Sequence, residues 1–278
     1  MYKTILVHVD SGPRMAHNVD AAAGLAKKHE AHLVGAAMTG LAPAMFPVGG
    51  FDPVTAATAF PLEQMRAGAE RALDAFEARV RTTALGSYER RCMDEEAGMG
   101  LCLQARYCDL VVIGQPLAAG NASFWRSGMP EYVLLHCSRP VLVVPARGKV
   151  GPIGDKVTVA WNGSANAVRA ITSAIALLRR ARQVQLVVVN PGPGGGLHGD
   201  LPGADMGLYM ARHGVRVEVC ALDDDGDAGE ALLAHASGAG SDLIVMGAYG
   251  HSRFRDTLIG GVTRSALLAS PLPLLMAH

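Results

Sequence analysis

The chain has 278 residues, of which 50% are hydrophobic and 18% charged, with a formal net charge of zero at pH 7. That length serves two domains of about 140 residues, each with its own core, and the neutral balance argues against a generic nucleic-acid binder, which carries a basic face. No apolar run reaches the ~18 residues of a membrane span, and the opening MYKTILVHVDSG lacks the organisation of a secretory leader, so the expected setting is the cytoplasm.

Residues 2–9 are mostly apolar, as in a strand covered on both faces, and Asp10-Ser11-Gly12-Pro13 turns the chain. Residues 15–29 carry Val19, Ala22, Ala23 and Ala26 at helical spacing. A strand is expected over 32–38, and residues 41–61, rich in proline, read as a long loop. The longest helical pattern, 62–84, is charged along one side. Strand 88–93, helix 95–106, strand 109–113, helix 131–137 and the short apolar strand 140–145 (PVLVVP) complete the first half. Residues 146–155 read as a linker. The order then repeats: strand 156–161, helix 165–180 capped by Ser164, strand 185–189, a glycine-rich loop over 190–203, and a short helix to about 213. Strand 215–222, helix 227–237, strand 243–246, helix 262–269 and strand 272–276 follow.

The halves also match residue by residue. CDLVVIG at 108–114 lies over SDLIVMG at 241–247, a shift of 133, and ILVHVD at 5–10 lies over VTVAWN at 157–162, a shift of 152. The difference, 152 − 133 = 19, fits a first half that carries the long loop. Repeated β-α units predict an α/β architecture: two tandem open parallel five-stranded sheets with helices on both faces. Domains are expected over 1–147 and 154–278. Ligands of such folds bind beyond the carboxyl ends of the strands, at the switch point in strand order. Asp10, Asn162 and Gly247 are expected there.

The stretch 243–266, LIVMGAYGHSRFRDTLIGGVTRSA, is the strongest functional signal. An apolar strand breaks at Gly247, passes Gly250, reaches the pair Gly260-Gly261 and resumes as a helix at Val262. Glycines admit close backbone approach to an anion, and helix-start N–H groups with the positive dipole end complete a phosphate cradle. The spacing Gly-x2-Gly-x9-Gly is neither a Walker loop nor GxGxxG. A strand–helix turn with a helix cap explains the same glycines without a ligand.

With MGAYG, GGVTR nine residues on, the openings ILVHVDSG and VTVAWNGS and the closing PVLVVP, the chain resembles a tandem universal stress protein of the UspA type over nearly its whole length. The resemblance implies the adenine nucleotide alpha hydrolase-like, Rossmann-like fold, and ATP, usually with a divalent metal such as Mg2+, as ligand. It places the second-half site at Trp161 and Asn162 (ribose or adenine side), Val188 and Val189 (adenine), and Met246, Gly247, Gly250, Gly260, Gly261, Val262 and Thr263 (phosphates). Two departures weaken the site. Gly261 stands where the family has Ser or Thr, losing a hydroxyl bond to a charged group worth roughly 1.5–3 kcal/mol. Asn162 replaces Asp and binds a ribose hydroxyl without charge assistance. In the first half the signature has decayed: Gly114 survives, Leu117 replaces the second glycine, and Ser127-Gly128 replaces the pair. That half is expected to bind ATP far more weakly, if at all.

Other residues admit two readings. His251, Arg253 and Arg255 either screen phosphate charge or form a solvated loop. His8 and Asp10, two apart on one strand, are a metal or acid–base pair, or His8 is a core histidine satisfied by a neighbour. Trp161 flanks adenine or packs the domain interface. Asp223 to Asp227 fails the EF-hand offsets, so helix capping by Asp225 or Asp227 is expected. The five cysteines are odd in number and never spaced CxxC; they are expected as buried thiols, not disulfides or zinc ligands. No nucleophile–base order stands out, so no catalytic or metal-ligating residue is assigned and ATP hydrolysis, if any, is expected to be slow. The expected function is binding-based regulation in a stress response. The alternative is a nucleotide-free interaction scaffold in which PVLVVP and PLPLLM pair the halves, with a homodimer through edge strands in either case. An adenylate-forming or flavin-binding enzyme of related architecture ranks third.

Overall fold

The computed structural model describes residues 1–41, 62–115, 128–148, 151–191, 201–249 and 261–278. The loop 42–61, the signature loop 250–260 and Leu117 lie outside the described residues. In the first half the elements are β1 (Thr4–His8), α1 (Met15–His29), β2 (His32–Met38), α2 (Leu62–Arg81), β3 (Tyr88–Met93), α3 (Ala97–Ala105), β4 (Leu110–Gly114), α4 (Met129–His136) and β5 (Val141–Val144). The second half has β6 (Lys156–Ala160), α5 (Ala165–Leu178), β7 (Gln183–Val189), α6 (Ala204–Arg212), β8 (Val217–Leu222), α7 (Ala228–Gly238), β9 (Leu243–Gly247), α8 (Gly261–Ala269) and β10 (Leu274–Ala277). Every strand and helix expected from the sequence is present, with ends shifted by a few residues. Glu96, for example, caps α3 by accepting the Met99 N–H, so that helix begins at Ala97.

The two five-stranded sheets are one continuous sheet in the order β3-β2-β1-β4-β5-β10-β9-β6-β7-β8. All neighbours are parallel except β5 and β10, which pair antiparallel through Val141↔Met276, Leu142↔Leu275 and Val143↔Leu274. The reason is physical: VLVV and LLMA are buried along their whole length and would be costly as open edges. The outer edges are instead β3 and β8, whose residues are half-buried or exposed and include Glu89, Arg90, Arg91 and Glu218.

Within each central strand, alternate residues feed two cores. Ile5 and Val7 join one with Val19, Phe76, Ile171 and Met210, under α1, α2, α5 and α6. Leu6 joins the other with Leu101, Leu134, Leu232 and Leu267, under α3, α4, α7 and α8. The continuous apolar runs read from the sequence follow from this double coverage. Phe76 lies so close over Gly35 that an added methyl would sit 2.5 Å from its ring.

An aspartate at matching positions fixes the entry to each half. Asp109 accepts the N–H groups of Lys3 and Thr4 at 2.6 and 3.0 Å. Asp242 accepts those of Gly154, Asp155 and Lys156 at 2.7 to 3.1 Å. The thiols correct an expectation: Cys108 is buried, but Cys92, Cys102, Cys137 and Cys220 are half-buried; Cys92 and Cys220 lie on the edge strands and Cys137 just past the end of α4, whereas Cys102 lies within α3.

Candidate functional site

In each half the chain leaves the first strand in one direction and returns on its other side, so the switch point lies at β1 and β6. In the second half, β6 is followed by Trp161, Asn162, Gly163 and Ser164. Gly163 adopts φ +72°, and Asn162 Oδ1 accepts the Ser164 N–H at 3.1 Å, a side-chain-closed turn. Ser164 Oγ then accepts the Ala167 N–H at 3.1 Å and caps α5, as expected. Trp161 is half-buried against the core beneath α5. β7 outruns β6: the last registered pair is Ala160↔Val187, and Trp161 N–H donates to Val187 O at 2.9 Å. Val188 and Val189 therefore extend past the end of β6 while still paired with β8. Beyond them Asn190 bonds Asp224 in both directions at 2.8 Å.

β9 ends beside α5. A methyl at Gly247 would lie 2.6 Å from Ala167 N and 2.7 Å from Asn166 C, so strand–helix packing by itself demands glycine there. Met246 is buried in the sheet opposite Met276. The next two amides have protein partners. Ala248 N–H donates to Ala277 O at 2.8 Å, and Tyr249 N–H, at φ +54°, donates to Thr263 Oγ1 at 3.2 Å. Thr263 is buried, and its hydroxyl serves the loop's own backbone. Asn166, also buried, donates to Ala248 O at 2.5 Å and accepts from Arg169 at 2.7 Å. Gly250, Gly260, His251, Arg253 and Arg255 lie outside the described residues; α8 opens at Gly261, followed by Val262. So Trp161, Asn162, Val188, Val189, Met246, Gly247, Gly261, Val262 and Thr263 all belong to segments at or beside the carboxyl ends of the interior strands β6, β7 and β9. The internal duties of Thr263 and Asn166 were not visible in the sequence. Burial of small polar side chains next to a strand end would have been the only signal.

The first half builds the same turn: Asp10 Oδ1 accepts the Gly12 N–H at 2.9 Å. Here a cleft of about 180 Å³ opens, lined by His8, Asp10, Arg14, Gly114 and Met129 among others. Arg14 Nη2 donates to Pro145 O and Gly148 O, both at 3.2 Å, tying the cleft to the end of β5. Burial holds the His8 imidazole below its usual range despite the opposing charges of Asp10 and Glu96. Gln115, next to Gly114, bridges the halves, donating to Leu267 O at 2.6 Å and accepting the Ala146 N–H at 2.8 Å. Of the acidic tract, Asp227 caps α7 by accepting the N–H groups of Gly229 and Glu230. Among the described residues no three His, Cys, Asp or Glu side chains gather as a metal site, and no helix is long and apolar enough to cross a membrane.

Residues 154–278 match the universal stress protein family. No curated protein matches the sequence. Among solved structures, a universal stress protein from Archaeoglobus fulgidus DSM 4304 is similar over 99% of this chain and 95% of its own, with a TM-score of 0.75 at 17% identity. A functionally unknown protein from Pseudomonas aeruginosa PAO1 is similar over 99% and 92%, with a TM-score of 0.59 at 15% identity. These likenesses establish a shared fold across both halves. The sequence match to the universal stress protein family thus covers residues 154–278, and the half that precedes them is built on the same five-strand plan.

Proposed function

We propose that residues 1–147 and 154–278 are two domains and that the second binds an adenine nucleotide, ATP with a divalent metal such as Mg2+. Binding rather than turnover is the function in this reading, as part of a cytoplasmic stress response. The observation that carries it is the step at the switch point: β7 runs on to Val189 where β6 has already ended. That leaves a stretch of backbone beside which a base can hydrogen-bond. Asn162 stands at the mouth of the step for the ribose. Gly247 and the helix start at Gly261 and Val262 flank the side where phosphates would lie. The fit is partial. The Thr263 hydroxyl is engaged by Tyr249 N–H, so phosphate contacts fall to main-chain amides of Gly250 and Gly260 to Val262, and Met246 lines the site through its backbone.

A thermal-shift titration with ATP and Mg2+ tests this. Ligand at a hundredfold excess over Kd stabilises the folded state by ~2.7 kcal/mol, and Asn162→Ala should weaken the effect. No shift at millimolar ATP would favour the nucleotide-free scaffold, which the antiparallel β5–β10 seam supports as a device for pairing the halves. A homodimer in either reading would use β3 or β8, since the apolar strands are already paired within the chain.

A second reading rests on the first-half cleft, which brings Asp10, His8 and Arg14 around one opening. It is tested by the same titration on Asp10→Ala: a loss of shift equal to that of Asn162→Ala assigns nucleotide to both halves.

A further inference from the structure

Helices α3 and α4 pack closely: a methyl at Gly98 would lie 2.9 Å from the Tyr132 ring. One turn further along α3 stands Cys102, and just beyond the last residue of α4 stands Cys137. Each thiol lies near enough to the other to shift its proton equilibrium, and both are half-buried against the same apolar cluster. The second half shows what is special here. Val111 N–H donates to Pro140 O and, 133 residues on, Ile244 N–H donates to Pro273 O, so Cys137 occupies the place of Ser270. Ser270 Oγ accepts the Leu272 N–H at 3.2 Å, and Cys137 accepts the equivalent N–H of Arg139. Opposite, where the first half has Cys102, the second has His235, whose ring pairs with Gln185. The second half has one cysteine in all, Cys220.

Cys137 also has access to solvent. It lines a cleft of about 270 Å³ at the seam of the halves, with Arg139, Thr172, Ser173 and His278. The Cys102 S–H, the Arg139 N–H and the Arg139 charge hold the Cys137 thiol below its ordinary range against the opposing effect of burial. The same interaction, with burial, pushes Cys102 upward. A thiolate is the nucleophile in thiol chemistry, and a neighbouring thiol resolves its oxidised form.

We propose that Cys137 is a peroxide-reactive cysteine and Cys102 its resolving partner, so that hydrogen peroxide staples α3 to α4 through a disulfide. The Cys137 thiolate attacks one peroxide oxygen and the O–O bond breaks. This gives Cys137 sulfenic acid and hydroxide, which takes up the displaced proton as water. The Cys102 sulfur then attacks the Cys137 sulfur, the S–S bond forms and a second water leaves. Two thiols are oxidised and one peroxide is reduced to two waters. Because α4 begins at Met129 on the wall of the first-half cleft, the staple would also fix that wall.

The test treats the reduced full chain with hydrogen peroxide, blocks remaining thiols by alkylation and maps peptides without reductant. A Cys102–Cys137 cross-link should form at least about tenfold faster than Cys92 or Cys220 is oxidised. Cys137→Ser should abolish the fast reaction; the fold accepts serine at the matching position 270. Cys102→Ser should leave the first step intact and arrest it as sulfenic acid, captured by dimedone. Absence of the cross-link, a dominant cross-link between other cysteines, or unchanged peroxide consumption by folded Cys137→Ser overturns the proposal.

Discussion

Both halves end their fourth strand in a glycine, and the two glycines teach different lessons. At Gly114 the space a methyl would take is filled by the Asn18 side chain, 2.5 Å away, which can swing aside. At Gly247 it is filled by the backbone of α5, which cannot. The same motif letter thus reflects a soft constraint in one half and a hard one in the other. Neither needs a ligand to explain it. What distinguishes the halves functionally is what surrounds the glycine: a cleft with His8, Asp10 and Arg14 in the first, and a strand step leading to a glycine-flanked helix start in the second.

The largest expected contrast is in pH response. His29, the last residue of α1, is fully buried and stacks on Tyr2 at 4.8 Å, whereas the last residue of α5 is the apolar Leu178. Burial, then the charges of Arg180, Lys28 and the N-terminus, lower the His29 pKa to about 4. For a base with a depressed folded pKa the neutral form is the one that folding favours. Its contribution is complete above the unfolded value near 6.5 and is lost as pH falls from there toward 4, about 3 kcal/mol in all. Urea unfolding between pH 7 and pH 4 should show this loss, and His29→Leu should flatten it. A variant retaining the full slope would move the cause elsewhere.

Next in size are the glycines themselves. Gly247→Ala should cost about 2–3 kcal/mol, at the upper end of overpacking effects, and Gly114→Ala about 1 kcal/mol. Equal melting temperatures for the two variants would contradict the distinction between backbone and side-chain contact.

The architecture was largely legible in the sequence because fully covered parallel strands leave continuous apolar runs and the repeat supplied a second copy of each. Asp109 over Asp242 was visible in that alignment, but not its role, since nothing in the residue type says which amides a carboxylate will meet. The joining of the sheets was foreshadowed by VLVV and LLMA as a rival idea, and their antiparallel direction was not. The candidate site was legible as a set of strand ends. It was not legible that Thr263 would cap Tyr249 or that Cys102 and Cys137 would meet, because contacts between elements distant in sequence depend on the packed backbone.

The paired aspartates give a smaller contrast. Asp242 holds three amides and Asp109 two. Asp242→Ala should therefore destabilise by roughly 2 kcal/mol and Asp109→Ala by about 1 kcal/mol, both being partly solvated sites where freed amides recover water. Denaturant midpoints read the order; a reversal would mean that the linker 146–155 is not anchored by Asp242.

The smallest effect bears most directly on function. Gly261 opens α8 with no hydroxyl to offer, and Thr263 two residues on is committed to Tyr249. If phosphates bind at this helix start, Gly261→Ser adds a donor without removing a main-chain amide, and a hydrogen bond to a charged group of about 1.5 kcal/mol is roughly a tenfold gain in ATP affinity. The same substitution would leave AMP nearly unaffected, because AMP lacks the outer phosphates. Calorimetry with both nucleotides separates the cases. Equal gains for ATP and AMP would point to helix stabilisation at α8, and no gain for either would place the phosphates away from Gly261.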